Sequence, residues 1–129
     1  MKRLLMVEDC QGDKVLLELA LRKAGLIFAM EWLKDGLTAY DRVSQLAPAP
    51  DLTILDINLP KRSGWDVLDR VRTLPWSQSS VVVFSSSASS IDLTKALERH
   101  CVYIRKPMNI GEYQLIAKQL MAIMDAVPC

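Results

Sequence analysis

Short apolar runs alternate along this chain with longer segments whose apolar residues recur every three or four positions. Leu4-Leu5-Met6-Val7 has no polar interruption, the pattern of a strand covered on both faces, where in-out alternation is lost. Residues 13–24 keep helical spacing and stop at Gly25, placed for a left-handed C-cap. A second strand is expected over 27–33, interrupted by Glu31. Asp35-Gly36 then turns the chain into a helix marked by Ala39, Tyr40, Val43, Leu46 and Ala47, which Pro48 and Pro50 end. Leu52-Thr53-Ile54-Leu55 reads as the third strand, and Val67, Leu68, Val71 and Leu74 keep helical spacing up to Pro75. A fourth strand over 81–84 is followed by a helix outlined by Leu93, Ala96, Leu97 and His100. A short fifth strand over 102–104 precedes a last helix over 109–126 with Tyr113, Ile116, Ala117, Leu120 and Met124 on one face.

Strict alternation of this kind predicts an α/β fold, an open doubly wound parallel sheet of five strands with five helices on its two faces. The 129 residues suit one domain over 1–129, large enough to bury a core without disulfides or metals. Ligands of such sheets bind outside the carboxyl ends of the strands, so the chemistry is sought there. The first strand ends in Glu8-Asp9, the third in Asp56 followed by Asn58, the fourth in Ser85 and the fifth in Arg105-Lys106-Pro107.

Charge adds little: 16 Lys and Arg against 15 Asp and Glu give +1, which offers no general attraction to nucleic acid or to an anionic membrane. The three cysteines, Cys10, Cys101 and Cys129, form no motif and suit free thiols in a reducing cytoplasm. No apolar run approaches a membrane span, and MKRLLMVEDC turns acidic too early for a signal peptide, so the expected location is cytoplasmic. Only Val127-Pro128-Cys129 follows the last helical pattern, so no DNA-binding or enzymatic output domain is expected.

Three carboxylates, Glu8, Asp9 and Asp56, converging on one sheet edge repel each other and call for a cation. A hard divalent ion with oxygen ligands, most simply Mg²⁺, meets that need. Lys106 supplies a mobile point charge for a phosphoryl oxygen, and the Ser85 hydroxyl can donate to another. Such a set describes an acyl-phosphate site.

VEDC at 7–10, LDINLPKRSG at 55–64, VVVFSS at 81–86 and YIRKP at 103–107 resemble the receiver domain of two-component response regulators, in order and spacing over essentially the whole chain. The resemblance implies a flavodoxin-like receiver fold with strand order 2-1-3-4-5. It implies that Asp56 is the phosphoacceptor for a sensor histidine kinase. Asp9 would ligate Mg²⁺ directly, Glu8 mainly through water, and the backbone carbonyl of Asn58 would complete the ligands. Lys106 and Ser85 would recognise the phosphoryl group, and Ser85 with Tyr103 would form the switch, read out on the fourth helix, fifth strand and fifth helix. It also implies a cis peptide before Pro107 that aims the lysine. Short segments such as LPKRSGWDVL look most like the group paired with phytochrome-type kinases.

Such a protein is no enzyme beyond its own phosphoryl uptake and autodephosphorylation. It signals through an unknown downstream protein or a change of oligomeric state, a homodimer included. An alternative is a receiver-fold docking module that works without phosphorylation, using an edge from Arg99 to Tyr103. A flavodoxin-like electron carrier fares worse, since no phosphate-cradling loop follows the first strand. A haloacid-dehalogenase-like phosphatase would need a second Asp where Asn58 stands. Arg99-His100-Cys101 replaces the small turn that receivers carry before the fifth strand, and Cys10 stands where the family has a polar residue. Trp65 is read as packing in preference to an exposed partner anchor. In VVVFSSSASS, Ser89-Ser90-Ile91-Asp92 fits a capping box with Ser89 as N-cap, which leaves Ser87-Ala88 as a flexible spacer.

Overall fold

The uninterrupted apolar run near the N-terminus becomes an interior strand. β1 (Lys2–Val7) pairs in parallel with β2 (Phe28–Leu33) on one side and β3 (Leu52–Leu55) on the other. The sheet continues through β4 (Val81–Ser85) to β5 (Val102–Arg105), giving the order β2-β1-β3-β4-β5. All residues of β3 and β4 are buried, which is why neither strand alternates in sequence. This computed structural model describes residues 1–45, 47–73, 76, 79–87 and 89–125. The expectations placed on Leu46, Leu74, Pro75, Ala88, Ala126 and the tail Val127, Pro128 and Cys129 lie outside the described residues.

The five helices are α1 (Gln11–Lys23), α2 (Gly36–Val43), α3 (Gly64–Arg72), α4 (Ser90–Glu98) and α5 (Tyr113–Asp125), the last entered through a 3-10 turn at Ile110–Glu112. Successive β1 side chains feed opposite cores, as the two-residue period of a strand requires. Leu4 and Met6 meet Leu17 and Leu21 of α1 and Ile116 and Leu120 of α5, whereas Leu5 and Val7 meet Ala39 and Val43 of α2 and Leu68 and Val71 of α3. Both faces are therefore covered, and the polar work is left to the ends of the strands.

The structure changes several expected boundaries. α1 ends where expected, with Gly25 at φ +93, but begins at Gln11, two residues before Asp13. α2 stops at Val43, short of Ala47, because the Ser44 hydroxyl bonds the Tyr40 carbonyl and Ser44 in turn accepts from Arg70 Nε. The Ala47 carbonyl instead accepts the indole N–H of the buried Trp76. On α4 only Ala96 is buried; Leu93 and Leu97, which outline the helix in the sequence, are exposed, and His100 is exposed just past the helix end. The bulky turn before β5 costs no distortion of the sheet. His100 takes the left-handed φ of +50 that a glycine would supply, Cys101 N–H bonds the Ala96 carbonyl, and the Arg99 guanidinium pairs with Asp69 at 2.7 Å.

Candidate functional site

The parallel ladder sets the register of the polar residues one step beyond the strands. Glu8 N–H donates to the Leu33 carbonyl at 2.9 Å, Asp56 N–H to Val7 at 3.0 Å and Lys106 N–H to Ser85 at 2.9 Å. Each first residue after β1, β3 and β5 is thus held at the same sheet edge by its neighbour's last carbonyl. That edge gathers Glu8, Asp56, Ser85 and Lys106.

Lys106 Nζ stands among three carboxylates, 2.6 Å from Glu8 Oε1, 2.9 Å from Asp13 Oδ2 and 3.0 Å from Asp56 Oδ2. Glu8 is 0 % exposed and the lysine side chain 11 %, so these contacts form largely out of water. Burial favours the neutral amine, yet the hydrogen bonds that Lys106 donates to Asp13, Glu8 and Asp56 outweigh it and hold the ammonium above its ordinary range. Burial, with the neighbouring Asp56 carboxylate, pushes Glu8 up to about 9 against the pull of Lys106. Asp13 resists its own partial burial because Lys106 donates to it, and it titrates below its ordinary value. Asp13 was not among the residues singled out from sequence. It lies in the first turn of α1, four residues after Asp9, and its pairing with Lys106 across 93 positions leaves no local signal in the sequence.

Glu8, Asp9 and Asp56 each offer a carboxylate oxygen, all within 4.8 Å of one another. Glu8 Oε2 is buried without a hydrogen-bond partner, a free acceptor inside an acidic cluster. Hard oxygen donors with an unsatisfied buried member fit a divalent cation that keeps water in its remaining positions. A second grouping, Glu8, Cys10 and Asp13, falls within the same 4.8 Å, and Lys106 bonds two carboxylates of either grouping. Cys10 is exposed and makes no side-chain cap to α1.

The loop after β3 is shaped by close backbone approach. Asn58 N–H donates to Asp56 Oδ1 at 3.0 Å, and Gly64 N–H to the Ile57 carbonyl at 3.1 Å. A Cβ on Gly64 would stand 2.3 Å from the Asp56 carbonyl oxygen, so only glycine lets α3 start this close to the acid. Ser63 caps α3 by accepting from Trp65 N–H. Lys106 reaches the cluster without the expected cis bond: the described residues contain no cis peptide, and the long lysine stem, with its N–H fixed to Ser85, spans the distance.

Ser85, fully buried at the end of β4, accepts from Ser87 N–H at 3.3 Å and from Asn58 Nδ2 at 3.5 Å. Ser87 is no free spacer. Its hydroxyl donates to Asp92 Oδ2 at 2.6 Å, and its carbonyl accepts the half-buried Tyr103 hydroxyl. Ser89 caps α4 by accepting from Asp92 N–H, as the motif predicts. The Asp92 carboxylate does not complete the box; it serves Ser87 and the indole N–H of Trp65, which is buried and stands beneath the Arg99 guanidinium. Those hydrogen bonds, Ser87 first, hold Asp92 below its ordinary carboxylate range.

A sequence profile for the response regulator receiver domain matches residues 4–118. Response regulator Rcp1 of Synechocystis sp. is 32 % identical over 118 residues, covering 86 % of this chain and 80 % of that protein. The crystal structure of the Mn²⁺-bound form of response regulator Rcp1 superposes with TM-score 0.84 at 27 % identity, over 99 % of this chain and 98 % of that one. The phosphorylated cyanobacterial phytochrome response regulator RcpA gives TM-score 0.85 at 30 % identity, over 99 % and 96 %. None of the described helices is long and apolar enough to cross a membrane.

Proposed function

Because the chain belongs to the response regulator receiver domain family, we propose that it accepts a phosphoryl group on Asp56 from a sensor histidine kinase, with Mg²⁺, and passes the signal on through protein contacts. The observation that carries this reading is the Asp56 carboxylate itself, buried at the sheet edge beside Glu8 and Asp9 with Lys106 Nζ 3.0 Å from Oδ2. The relation to phytochrome response regulators makes a phytochrome-type kinase the partner to test first.

In the transfer, an Asp56 oxygen bonds to phosphorus as the P–N bond to the donor imidazole breaks, and the imidazole leaves with the electron pair. Little covalent assistance is required; positioning and charge neutralisation do the work. Asn58 N–H steadies one Asp56 oxygen while Lys106 neutralises the other and then meets the phosphoryl oxygens. Glu8, Asp9 and Asp56, with the Asn58 carbonyl, would hold the Mg²⁺, which when bound supplies further charge neutralisation. Ser85 is the hydroxyl placed to follow the phosphoryl group. Its move would release Ser87 N–H, and through Ser87 the Tyr103 hydroxyl, so that a local charge reaches β5 and α4.

Incubation with acetyl phosphate and Mg²⁺ tests the reading by intact-mass spectrometry. One phosphoryl group is expected on the parent and none on Asp56→Asn. Unaltered partner binding by Asp56→Asn, with no phosphoryl gain by the parent, would favour the phosphorylation-independent docking module.

A further inference from the structure

We infer that Trp32 is a positioning residue for the cation side of the site, acting through the main chain of Glu8; this rests on reading Glu8, Asp9 and Asp56 as cation ligands. The Trp32 indole Nε1–H donates to the Glu8 carbonyl oxygen at 2.8 Å, and the Glu8 N–H donates to the Leu33 carbonyl at 2.9 Å. Both backbone polar groups of Glu8 are thus held by the end of β2. The β1–β2 register closes at Val7 and Leu33, so Glu8 lies beyond the last ladder pair, and a side chain serves its carbonyl.

The peptide unit is planar, so fixing the Glu8 carbonyl fixes the plane of the Glu8–Asp9 peptide and the direction in which Asp9 leaves it. Asp9 is exposed, and on its C-terminal side Cys10 caps α1 through its carbonyl alone, which accepts from Lys14 N–H at 3.2 Å, with no side-chain cap; the Glu8–Asp9 peptide itself is held by Trp32. The indole is itself held. Lys14 Nζ of α1 and Lys34 Nζ lie 5.2 and 4.7 Å from its ring centroid, and Lys14 is steadied by Glu18 at 3.0 Å. A cation over the ring polarises the indole and strengthens its N–H as a donor. Tryptophan packing at a sheet edge would need none of this; phenylalanine would fill the place as well.

The test is a Mg²⁺ titration followed by NMR on the full chain. In the parent, the Trp32 indole N–H resonance is expected to shift with the same midpoint as the Glu8 and Asp9 amides. Trp32→Phe keeps an aromatic ring and removes the donor, and its Mg²⁺ dissociation constant is expected to rise about fivefold. An unchanged constant in folded Trp32→Phe, with binding still abolished in Asp9→Asn, overturns this inference and leaves the cation site standing. Absence of Mg²⁺ binding in the parent overturns both. Should Trp32→Phe not fold, the parent titration decides alone: an indole resonance that stays in place while the Glu8 and Asp9 amides move sinks the inference.

Discussion

The Tyr103 hydroxyl donates a 2.5 Å hydrogen bond to the backbone carbonyl of Ser87, joining β5 to the loop that leaves β4. The same serine donates its N–H to Ser85 and its hydroxyl to Asp92. A single residue therefore touches the buried hydroxyl at the site, the aromatic on β5 and the first turn of α4. Tyr103→Phe removes one bond of about 1 kcal/mol. Amide exchange at Ser87 and Ser89 is expected to quicken about fivefold, with little change in global unfolding; unchanged exchange at both would show that the bond does not restrain the loop.

Lys106 balances three carboxylates and is nearly inaccessible. Lys106→Met leaves Glu8, Asp13 and Asp56 without their cation, which is expected to cost about 3 kcal/mol in the metal-free protein near neutral pH. Mg²⁺ should restore part of that stability while phosphoryl uptake stays low. Urea unfolding with and without Mg²⁺ measures the first effect, and intact mass the second.

The pH dependence has a definite sign. Glu8 is raised from an ordinary 4.5 to about 9 by burial and by Asp56, so the fold favours its protonated form. Its stabilising contribution is complete below about 4.5 and is lost as the pH rises towards 9. The metal-free protein should therefore melt progressively lower between those limits. Glu8→Gln should flatten the decline, whereas Mg²⁺ should oppose it in the parent by favouring the carboxylate. A decline of the same steepness in Glu8→Gln would assign it to another group. Asp13, lowered by Lys106, acts in a different window and loses its contribution only as the pH falls through its own lowered value.

Two glycines are expected to respond very differently to alanine. At Gly64 the new Cβ would lie 2.3 Å from the Asp56 carbonyl oxygen and 2.6 Å from Ile57 Cα, both backbone atoms that cannot yield cheaply. A loss above about 2 kcal/mol is expected, together with slower phosphoryl uptake, because relief of the clash moves the acid. At Gly25 a Cβ meets nothing within 4 Å, and only the φ of +93 opposes it, so the cost should stay near 1 kcal/mol with uptake unchanged. Thermal melts and acetyl phosphate kinetics separate the two.

The five strands and the gathering of Glu8, Asp56, Ser85 and Lys106 were legible because they follow from the chain's own period: buried strands are apolar runs, and the residue after each run lies at one edge; the strand order came only from the resemblance to the receiver family. Asp13, Trp32 and Ser87 were not. Asp13 reaches Lys106 across 93 positions and Trp32 reaches Glu8 across 24, pairings that no local pattern carries. Ser87 lay within a serine-rich run, where composition suggested slack, yet all three of its polar groups are bonded. α2 was read too long because Ala47 kept the apolar spacing, while the hydroxyl of Ser44 ended the helix first. On α4 the same spacing marked the helix but left open how much of its stripe is covered, since helical spacing identifies a stripe and not its neighbours.

That uncovered stripe sets how α4 is attached. With Leu93 43 % and Leu97 77 % exposed and Ala96 alone buried, the hydrophobic effect contributes little to keeping the helix in place. What holds it is mostly polar and sits at its ends, with Ser89, Ser87 and Trp65 on Asp92 at one end and Asp69 on Arg99 at the other. Such bonds are individually exchangeable with water, so α4 should be among the cheapest segments to detach while the sheet stays folded. An element fastened in this way can be re-seated by trading a few hydrogen bonds, with no core to repack.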